Sequence, residues 1–491
     1  MKYFLIQIFL FCFIFINGFS QQTFYTHIHD FNEHNPMDML IKPNGNMLFC
    51  SFYRSDDTSW SSVWELDLSG EIINEWTFTN TSEEFLRCCS MSLVNNQIYL
   101  FGFGQINEQG NVEEFVSMRK FDLQLNEVDK FEYNLTGMPN SRPFPVSVIY
   151  RDSSFHALTA VQYEVFNSTV AYFNISLSGN QFYSAFLPPS SGQKLYPFDF
   201  YLVDGSNNLH TMVYDYHHLL GVPGVYTEFD SAMNIISQIP LPDQPFMDFG
   251  ILKDSDTTFF ALQNSVQIQQ FNSVVSKFDF QGNILNQFTY ECPHDSASWI
   301  AYRKALDFLP DGNLIFCTTK NIDYYPGVQL EPTQIRFFKL TPDLELIWQK
   351  FLFGDDGNYR VWSIKAHTDG GIVVTGTFSQ TPPLSGAMEI FFMKTDSEGL
   401  LTHIGDDEQH IKTTEAILYP NPASNFVIVD FSLLYKTATL QLTDLAGRTV
   451  FEQALTSNYQ QVDISGVPAG AYVYRIYNSK GLEESGKMMV E

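Results

Sequence analysis

The chain has 491 residues, of which only 17% are charged and 16% are aromatic, with 46 phenylalanines. This composition suits a β-rich core and argues against a disordered chain. The formal charge of 27 − 55 = −28 would repel a phosphate backbone, so no nucleic acid partner is expected.

The N-terminus is typical of a signal peptide over residues 1–20. Lys2 supplies the positive charge, an almost wholly apolar run follows over residues 3–16, and Gly18 and Ser20 place small residues before Gln21. The run is too short for a membrane anchor, and no other long apolar stretch exists. We therefore expect an exported chain with no transmembrane segment after processing.

A turn followed by a short apolar strand recurs seven times, with starts about 50 to 58 residues apart. The copies begin at Pro43, Val94, Arg151, Val203, Lys253, Pro310 and Thr368. Each copy is preceded by an apolar segment and followed by a second hairpin, which gives four strands, A to D. Such a sheet buries both faces only against neighbours. The pattern therefore predicts a seven-bladed β-propeller with four-stranded blades over residues 21–405.

One segment lies outside the seven units. TFYTHIHDFN precedes the first unit and resembles a D strand without its own blade. We expect this strand to complete the last blade and close the ring, which removes exposed sheet edges. A single sheet or a solenoid is the alternative. TDGGIVVTGTF, with FGDDGNYRVWSI before it, resembles blade repeats of large secreted bacterial propellers, which implies fold and not activity.

Five cysteines follow the signal peptide, an odd number whose spacing fits no metal signature. Cys50 in MLFC and Cys317 in LIFC occupy the same place in the repeat. We expect both to be small buried apolar side chains, and we expect no disulfide scaffold.

The composition changes after Ile404. A polar segment over residues 406–415 is typical of a linker, and short alternating strands follow over residues 416–491, which predicts a small β-sandwich. This segment resembles the type A C-terminal sorting domain of type IX secretion cargo. The matching residues are Tyr419, Pro420, Asn421 and Pro422 in the opening motif, Asp444, Gly447 and Arg448 in the central motif, Gly470 and Tyr472 in the late motif, and Lys487 in the closing strand.

The resemblance implies passage through the outer membrane of a Gram-negative bacterium by the type IX secretion machinery. Removal of the tag, then release or attachment to surface polysaccharide, usually follows in this family. We therefore expect a secreted or cell-surface protein. Without the resemblance, the same residues predict a generic sandwich with turns at Pro420, Gly447 and Gly470.

In a blade of consecutive hairpins, turns A–B and C–D open on one face of the disc and loops B–C and D–A on the other. The second set is long and varied, as in GQINEQGNVEEF and KNIDYYPGVQLEPTQ. Varied loops are typical of recognition surfaces, so we expect the binding face there. The candidate residues are Trp60, His217, His218, Trp299, Tyr324, Tyr325, Asp355, Asp356 and Tyr359. The alternative is that these aromatic residues cap seams between blades.

The sequence gives little sign of catalysis. No HExxH, GxSxG or phosphate-binding glycine loop occurs, and we expect no metal at His27, His29 and His34. We expect no cofactor. The acidic turn at Asp396, Ser397 and Glu398 is explained by ordinary hairpin hydrogen bonding, and a calcium site there is the alternative. A binding or adhesion module for a glycan, protein or envelope ligand is the favoured interpretation. An enzyme acting on extracellular polysaccharide or peptide and a structural surface-layer component are the alternatives.

Overall fold

The computed structural model describes residues 21–28, 33–54, 58–108, 111–134, 142–164, 167–187, 195–202, 208–215, 225–240, 249–255, 257–267, 270–291, 298–300, 304–320, 333–353, 357–380, 389–401, 412–414, 416–419, 421–431, 438–457, 459–478 and 483–491. Every regular element within these ranges is a β-strand. The expected signal peptide and most of the expected linker lie outside the described residues.

Among the described residues, twenty-nine strands precede the linker. In chain order they are β1 (Phe24–Ile28), β2 (Glu33–Ile41), β3 (Met47–Arg54), β4 (Ser59–Leu66), β5 (Ile72–Thr79), β6 (Glu84–Val94), β7 (Gln97–Glu108), β8 (Asn111–Phe121), β9 (Glu127–Tyr133), β10 (Arg142–Arg151), β11 (Ser154–Glu164), β12 (Asn167–Ser176), β13 (Gln181–Phe186), β14 (Leu195–Leu202), β15 (Leu209–Asp215), β16 (Val225–Phe229), β17 (Ile235–Pro240), β18 (Phe249–Lys253), β19 (Thr258–Gln267), β20 (Gln270–Asp279), β21 (Ile284–Tyr290), β22 (Ser298–Ile300), β23 (Leu306–Phe308), β24 (Leu314–Lys320), β25 (Gln334–Leu340), β26 (Leu346–Phe353), β27 (Gly357–Ala366), β28 (Ile372–Gln380) and β29 (Glu389–Thr395).

These strands form seven antiparallel sheets. Blades 1 to 5 have the orders β2-β3-β4-β5, β6-β7-β8-β9, β10-β11-β12-β13, β14-β15-β16-β17 and β18-β19-β20-β21. Blade 6 runs β22-β24-β25-β26, with β23 also paired to β24, and blade 7 runs β27-β28-β29-β1. The A strands contact one another in turn, β2 to β6, β10, β14, β18, β23, β27 and back to β2. The ring is therefore closed, as the seven-bladed prediction required.

The N-terminal strand β1 completes blade 7. It pairs antiparallel with β29, with Tyr25 opposite Met393. On the other side of the same sheet, Phe24 packs with Phe392 against Phe49 of blade 1. The expected closing strand is thus confirmed, and it joins the two ends of the ring through both hydrogen bonds and apolar contacts.

The core lies in the seams between neighbouring blades, because the B and C strands are buried on both faces. All seven residues of β24 are buried, as are all seven of β29. Cys50 and Cys317 are fully buried, as expected. Together with Cys88 and Cys89 they form no disulfide among the described residues, and Cys292 lies outside them.

The seven C–D turns have one design. In each, the first residue accepts a backbone hydrogen bond from the fourth. Its side-chain oxygen accepts one further backbone N–H where the residue is Ser176 or Thr341, and two where it is Asp; Asp279 accepts those of Gln281 and Asn283 at 2.9 and 2.8 Å. The hydrogen bonds from Asn283 hold the pKa of the Asp279 carboxyl below its usual value. The expectation of short, uniform turns on this face is confirmed.

The fourth residue of each turn has a positive φ and alternates between small and large around the ring. The seven residues are Gly70, Leu125, Gly179, Met233, Gly282, Leu344 and Gly399. Phe24, Phe131, Ile239 and Trp348 of the preceding blade occupy the space beside the four glycines. A non-glycine residue in this conformation costs about 1–2 kcal/mol. Burial of each leucine or methionine offsets that cost by about 1.5–3 kcal/mol.

Most A strands are irregular near their middle. The register shifts between Pro36 and Asp38 in blade 1, between Cys88 and Ser90 in blade 2, and between Val361 and Ser363 in blade 7. Blades 3 and 4 contain similar shifts, and blade 6 divides its A strand into β22 and β23. Such bulges bend the innermost strands around the axis and redirect their side chains.

In the described part of the chain after blade 7 there are eight strands. They are β30 (Lys412–Thr414), β31 (Ala416–Tyr419), β32 (Phe426–Phe431), β33 (Ala438–Asp444), β34 (Thr449–Leu455), β35 (Tyr459–Asp463), β36 (Gly470–Tyr477) and β37 (Glu483–Val490). Strand β30 falls within the expected linker and pairs with β26 at the outer edge of blade 6. The other seven form the sheets β31-β32-β35 and β34-β33-β36-β37 around one apolar core, which is the expected β-sandwich.

Candidate functional site: the loop face and the sorting domain

Most candidates on the expected binding face fall outside the described residues. These are His217, His218, Tyr324, Tyr325, Asp355 and Asp356. Trp299 lies in β22, where its backbone pairs with Thr319. One expected loop is instead a hairpin: β7 extends to Glu108 and β8 begins at Asn111, so GQINEQGNVEEF is almost all strand. The ladder pairs Gln105 with Glu114 and continues to Glu108 opposite Asn111.

Trp60 lies at the start of β4, at the B–C end of blade 1, and forms the outer end of a column of three rings. It pairs directly with Tyr53 of β3, and their rings stack with centroids 5.0 Å apart at 17°. Tyr53 also stacks on Trp64, at 6.2 Å and 27°. Trp64 is buried against Phe392 of blade 7, whereas Trp60 and Tyr53 are half-buried. The column therefore leads from the seam between blades 7 and 1 out to the loop face.

Tyr359 lies inside the protein. Only 2% of its surface is exposed, and its ring packs on Phe378 and Phe391 of its own blade. Its hydroxyl accepts a hydrogen bond from Tyr25 at 3.2 Å, and its backbone N–H and C=O both bond to the hydroxyl of Thr333 in blade 6. This placement agrees with the alternative in which an aromatic residue closes a seam.

Two buried cations, Arg336 and Lys320, lie at the B–C end of blade 6. Arg336 has no exposed surface, and its guanidinium lies 4.7 Å from the ring centres of both Tyr290 in blade 5 and Phe351. Lys320, on the neighbouring strand, is 1% exposed. Side chains of both residues belong to the face of the sheet that meets blade 5, because Arg336 pairs with Thr318 and Lys320 follows two residues later.

A charged clamp on the A strands was not anticipated from the sequence. Asp38, in the bulge of β2, accepts hydrogen bonds from the N–H of Met39 and the Nζ of Lys304 through Oδ1, at 2.8 and 2.5 Å. Its Oδ2 accepts from the N–H of Met91 and the hydroxyl of Ser90 at 2.8 and 3.2 Å. The carboxylate is 1% exposed and has two donors on each oxygen. It therefore joins blades 1, 2 and 6, and has no lone pair left for acid–base chemistry.

The calcium alternative concerns the C–D turn of blade 7. Asp396 accepts the backbone N–H groups of Glu398 and Leu400 at 2.9 and 2.8 Å, as in the other turns. Hairpin chemistry thus accounts for this carboxylate. Within the described ranges, no group of three or more His, Cys, Asp and Glu side chains could hold a metal ion. No helix among them is long and apolar enough to cross a membrane.

In the C-terminal sandwich, the opening and closing motifs meet. The side-chain amide of Asn421 donates to the carbonyl of Lys487 and accepts from the N–H of Met489, both at 2.8 Å. Ala423 then bridges to Val490 in parallel register. Tyr419 ends β31, Pro422 follows a cis bond from Asn421, and Pro420 lies outside the described residues.

The central and late motifs build two turns. Asp444 accepts the N–H groups of Ala446 and Arg448, both at 2.9 Å, and Gly447 takes a positive φ of 80°. These hydrogen bonds, led by that from the Arg448 backbone, hold the pKa of the Asp444 carboxyl below its usual value. Gly470 begins β36, and the hydroxyl of Tyr472 donates to the carbonyl of Pro468 at 2.6 Å.

Residues 417–491 match the family model described as the secretion system C-terminal sorting domain. The C-terminal unit is a secretion sorting domain. The match confirms the resemblance to type IX cargo, and the presence of this sorting domain marks the protein as one that is exported to the cell surface or beyond.

No curated protein matches the sequence. Solved structures that are similar include a fungal alcohol oxidase (9% identity, 94% of this chain and 100% of that chain, TM-score 0.42) and Drosophila Plexin A in complex with Semaphorin 1b (7%, 76% and 86%, 0.41). A chimera described as ACO/RPE65 is 10% identical, with a TM-score of 0.34. The alignment covers 54% of this chain and 62% of the chimera, less than two thirds of that structure. Likenesses at this level carry no argument about activity.

Proposed function

We propose that the protein is an exported binding module whose propeller holds a glycan on the B–C/D–A face. The sorting domain supports export, and the proposal includes removal of residues 1–20 as a signal peptide. The observation that carries the binding role is the column Trp64–Tyr53–Trp60, whose outer ring reaches the loop face. A flat aromatic ring supplies a rigid apolar platform that loses little conformational entropy on binding, and it suits the apolar face of a sugar.

The anchoring of the column supports this role. Trp60 is held by the ladder between β3 and β4, and its stacking partner Tyr53 receives a hydrogen bond from Ser62 at 3.5 Å. A ring held in this way is already oriented before the ligand arrives, which lowers the entropic cost of binding. The strongly negative overall charge argues for a neutral or cationic ligand over a polyanion.

The test uses a glycan array followed by calorimetric titration of the best binders, with the full chain and two variants. Trp60→Ala should weaken binding by at least about tenfold, because it removes the outer ring of the platform. Phe426→Ala is the matched control, since it removes an exposed aromatic side chain that lies in the sorting domain and not in the propeller. Circular dichroism melts of all three proteins exclude unfolding as the cause. Equal binding by both variants and the wild type, or no glycan bound at all, would contradict the proposal.

A further inference from the structure

The D strands at the outer rim of blades 3, 4 and 5 are uncharged. The D strands of these blades are β13 (QFYSAF), β17 (IISQIP) and β21 (ILNQFTY), and none contains Asp, Glu, Lys or Arg. Each carries, starting at or next to its first residue, two large apolar side chains that are 42–66% exposed. They are Phe182 and Tyr183, Ile235 and Ile236, and Ile284 and Leu285. Among the described residues, no strand pairs with the outer edge of any of the three.

Blades 2, 6 and 7 protect the same edge, whereas β5 of blade 1 carries the exposed pair Ile72 and Ile73 together with one charged residue, Glu75. Strand β9 of blade 2 has four charged residues in seven, EVDKFEY, which is a common way to prevent edge-to-edge pairing. In blade 6 the chain itself covers the edge, because β30 pairs with Phe351–Phe353 of β26. The equivalent apolar pair there, Leu346 and Ile347, is half-buried rather than exposed, because it packs against the core together with Leu401. Strand β1 of blade 7 is uncharged, but its apolar side chains are buried or half-buried.

We propose that this rim, named here the blade 3–5 belt (residues 181–186, 235–240 and 284–290), is the interface through which two copies of the chain associate. The charge of the chain is the reason for choosing a second copy as the partner. Each copy carries a formal charge of −28, so two copies repel at most orientations and approach without local repulsion only where charged side chains are absent. A bare edge strand is also complementary to its own copy in antiparallel orientation, which gives a closed two-fold dimer. Strand β17, the middle of the three, lies beside its counterpart, and the apolar pairs of blades 3 and 5 flank it.

The blade 6 edge shows that the fold accepts such an addition. Strand β30 adds to β26 as an extra antiparallel strand without disturbing the four strands inside it. The dimer applies the same geometry between chains. Exposed apolar pairs of this size are the kind of surface that a soluble protein covers in an assembly.

Sedimentation equilibrium of the full chain tests the proposal over a wide concentration range at low and moderate salt. We expect a monomer–dimer equilibrium that strengthens as salt is raised, because salt screens the repulsion between two negative chains. Ile236→Lys should weaken the dimer by at least about tenfold, since it places an unpaired ammonium in the interface. Val128→Lys on the charged edge of blade 2 is the matched control, and should leave the dimer unchanged. Backbone amides of β17 should also exchange more slowly at high protein concentration.

A chain that stays monomeric at all concentrations overturns the proposal. So does a dimer that Ile236→Lys and Val128→Lys weaken equally. Because the glycan test uses Trp60 and Phe426, neither of which lies in the blade 3–5 belt, failure of either experiment leaves the other proposal intact.

Discussion

Asn421 clamps the end of the sorting domain by bonding to both sides of Met488: its Nδ2 donates to Lys487 and its Oδ1 accepts from Met489, at 2.8 Å each. The opening motif of the domain thus holds its last strand in place. Two further backbone bonds, from Ala423 to Met489 and from Glu491 to Ala423, continue the contact at 2.8 Å.

Asn421→Ala should release this strand end. Loss of two hydrogen bonds costs about 1–3 kcal/mol, and the amide of Met489 should exchange with solvent much faster. Asn421→Asp keeps the acceptor for Met489 and removes the donor to Lys487, so it should show a smaller effect. Hydrogen-exchange mass spectrometry of the C-terminal peptide measures both. Unchanged exchange in Asn421→Ala would show that the Ala423 contacts hold the strand without the side chain.

The turn glycines give a paired test of strain and packing. Gly179 and Gly312 both have φ near +83°, but a Cβ on Gly179 would overlap the ring of Phe131, whereas a Cβ on Gly312 would meet nothing within 4 Å. Gly312→Ala should therefore cost only the backbone strain, about 1–2 kcal/mol. Gly179→Ala should cost at least about 1 kcal/mol more, because Phe131 must move. Thermal or urea unfolding measures the difference, and equal losses would refute the packing role of Phe131.

The clamp on the A strands predicts an asymmetry between its two partners. Asp38→Ala removes the acceptor of the buried Met91 N–H and the ion-pair partner of Lys304, so it should destabilise the fold by at least about 1–3 kcal/mol. Lys304→Met leaves Asp38 with three donors and should cost less. Lys304 also has a positive φ of 44°, which adds local strain that the interaction must offset. The free energies of unfolding of the two single variants and the double variant give the interaction energy between Asp38 and Lys304. An interaction energy near zero would contradict the clamp.

Two buried histidines predict a loss of stability in mild acid. His156 bonds to the hydroxyl of Tyr172, and His210 to that of Tyr226, each through Nδ1 at 2.7 Å. Burial lowers the pKa of both imidazoles below the ordinary value of 6.5. The fold therefore favours the neutral forms. Their contribution to stability is present above pH 6.5 and is lost as the pH falls below that value towards the folded pKa.

The pH dependence of urea unfolding checks this sign. Replacement of both histidines by Gln should flatten the curve below pH 6.5. Tyr172→Phe serves as the control, because it removes a hydrogen bond at every pH and leaves the titrating group in place. If the double variant kept the wild-type slope, other groups would have to carry it.

Much of the propeller could be predicted because its information is local. Turns such as Asp279–Gly282 need a side-chain acceptor at the first position and a residue that tolerates a positive φ at the fourth. Each copy of the turn can therefore be recognised from its own residues. The closing role of β1 followed from the same logic, since a D strand without a blade has one open edge to fill. The sorting domain was recognisable from its motifs for a related reason, as Asp444 and Gly447 build a turn of the same design.

The candidate site was harder to predict because its contacts are distant along the chain. Asp38 and Lys304 are 266 residues apart, and a bulge, which depends on the neighbouring strand, aims the carboxylate. Tyr359 carries the same polar and aromatic signal as a loop residue but lies at the start of β27, where the seam covers it. GQINEQGNVEEF has the composition of a loop, yet cross-strand pairing with its own second half extends the hairpin.

The small-and-large alternation of the C–D turns has a consequence for the symmetry of the ring. A pattern that repeats every two blades cannot be continuous around a ring with an odd number of blades. At one seam, two blades of the same kind must therefore be neighbours. That seam lies between blades 7 and 1, where Gly399 and Gly70 follow one another and Phe24 of β1 fills the space beside Gly70. The ring therefore contains a phase defect at the point where its two ends are joined, and a circularly permuted chain opened at any other seam would have to carry that defect within its interior.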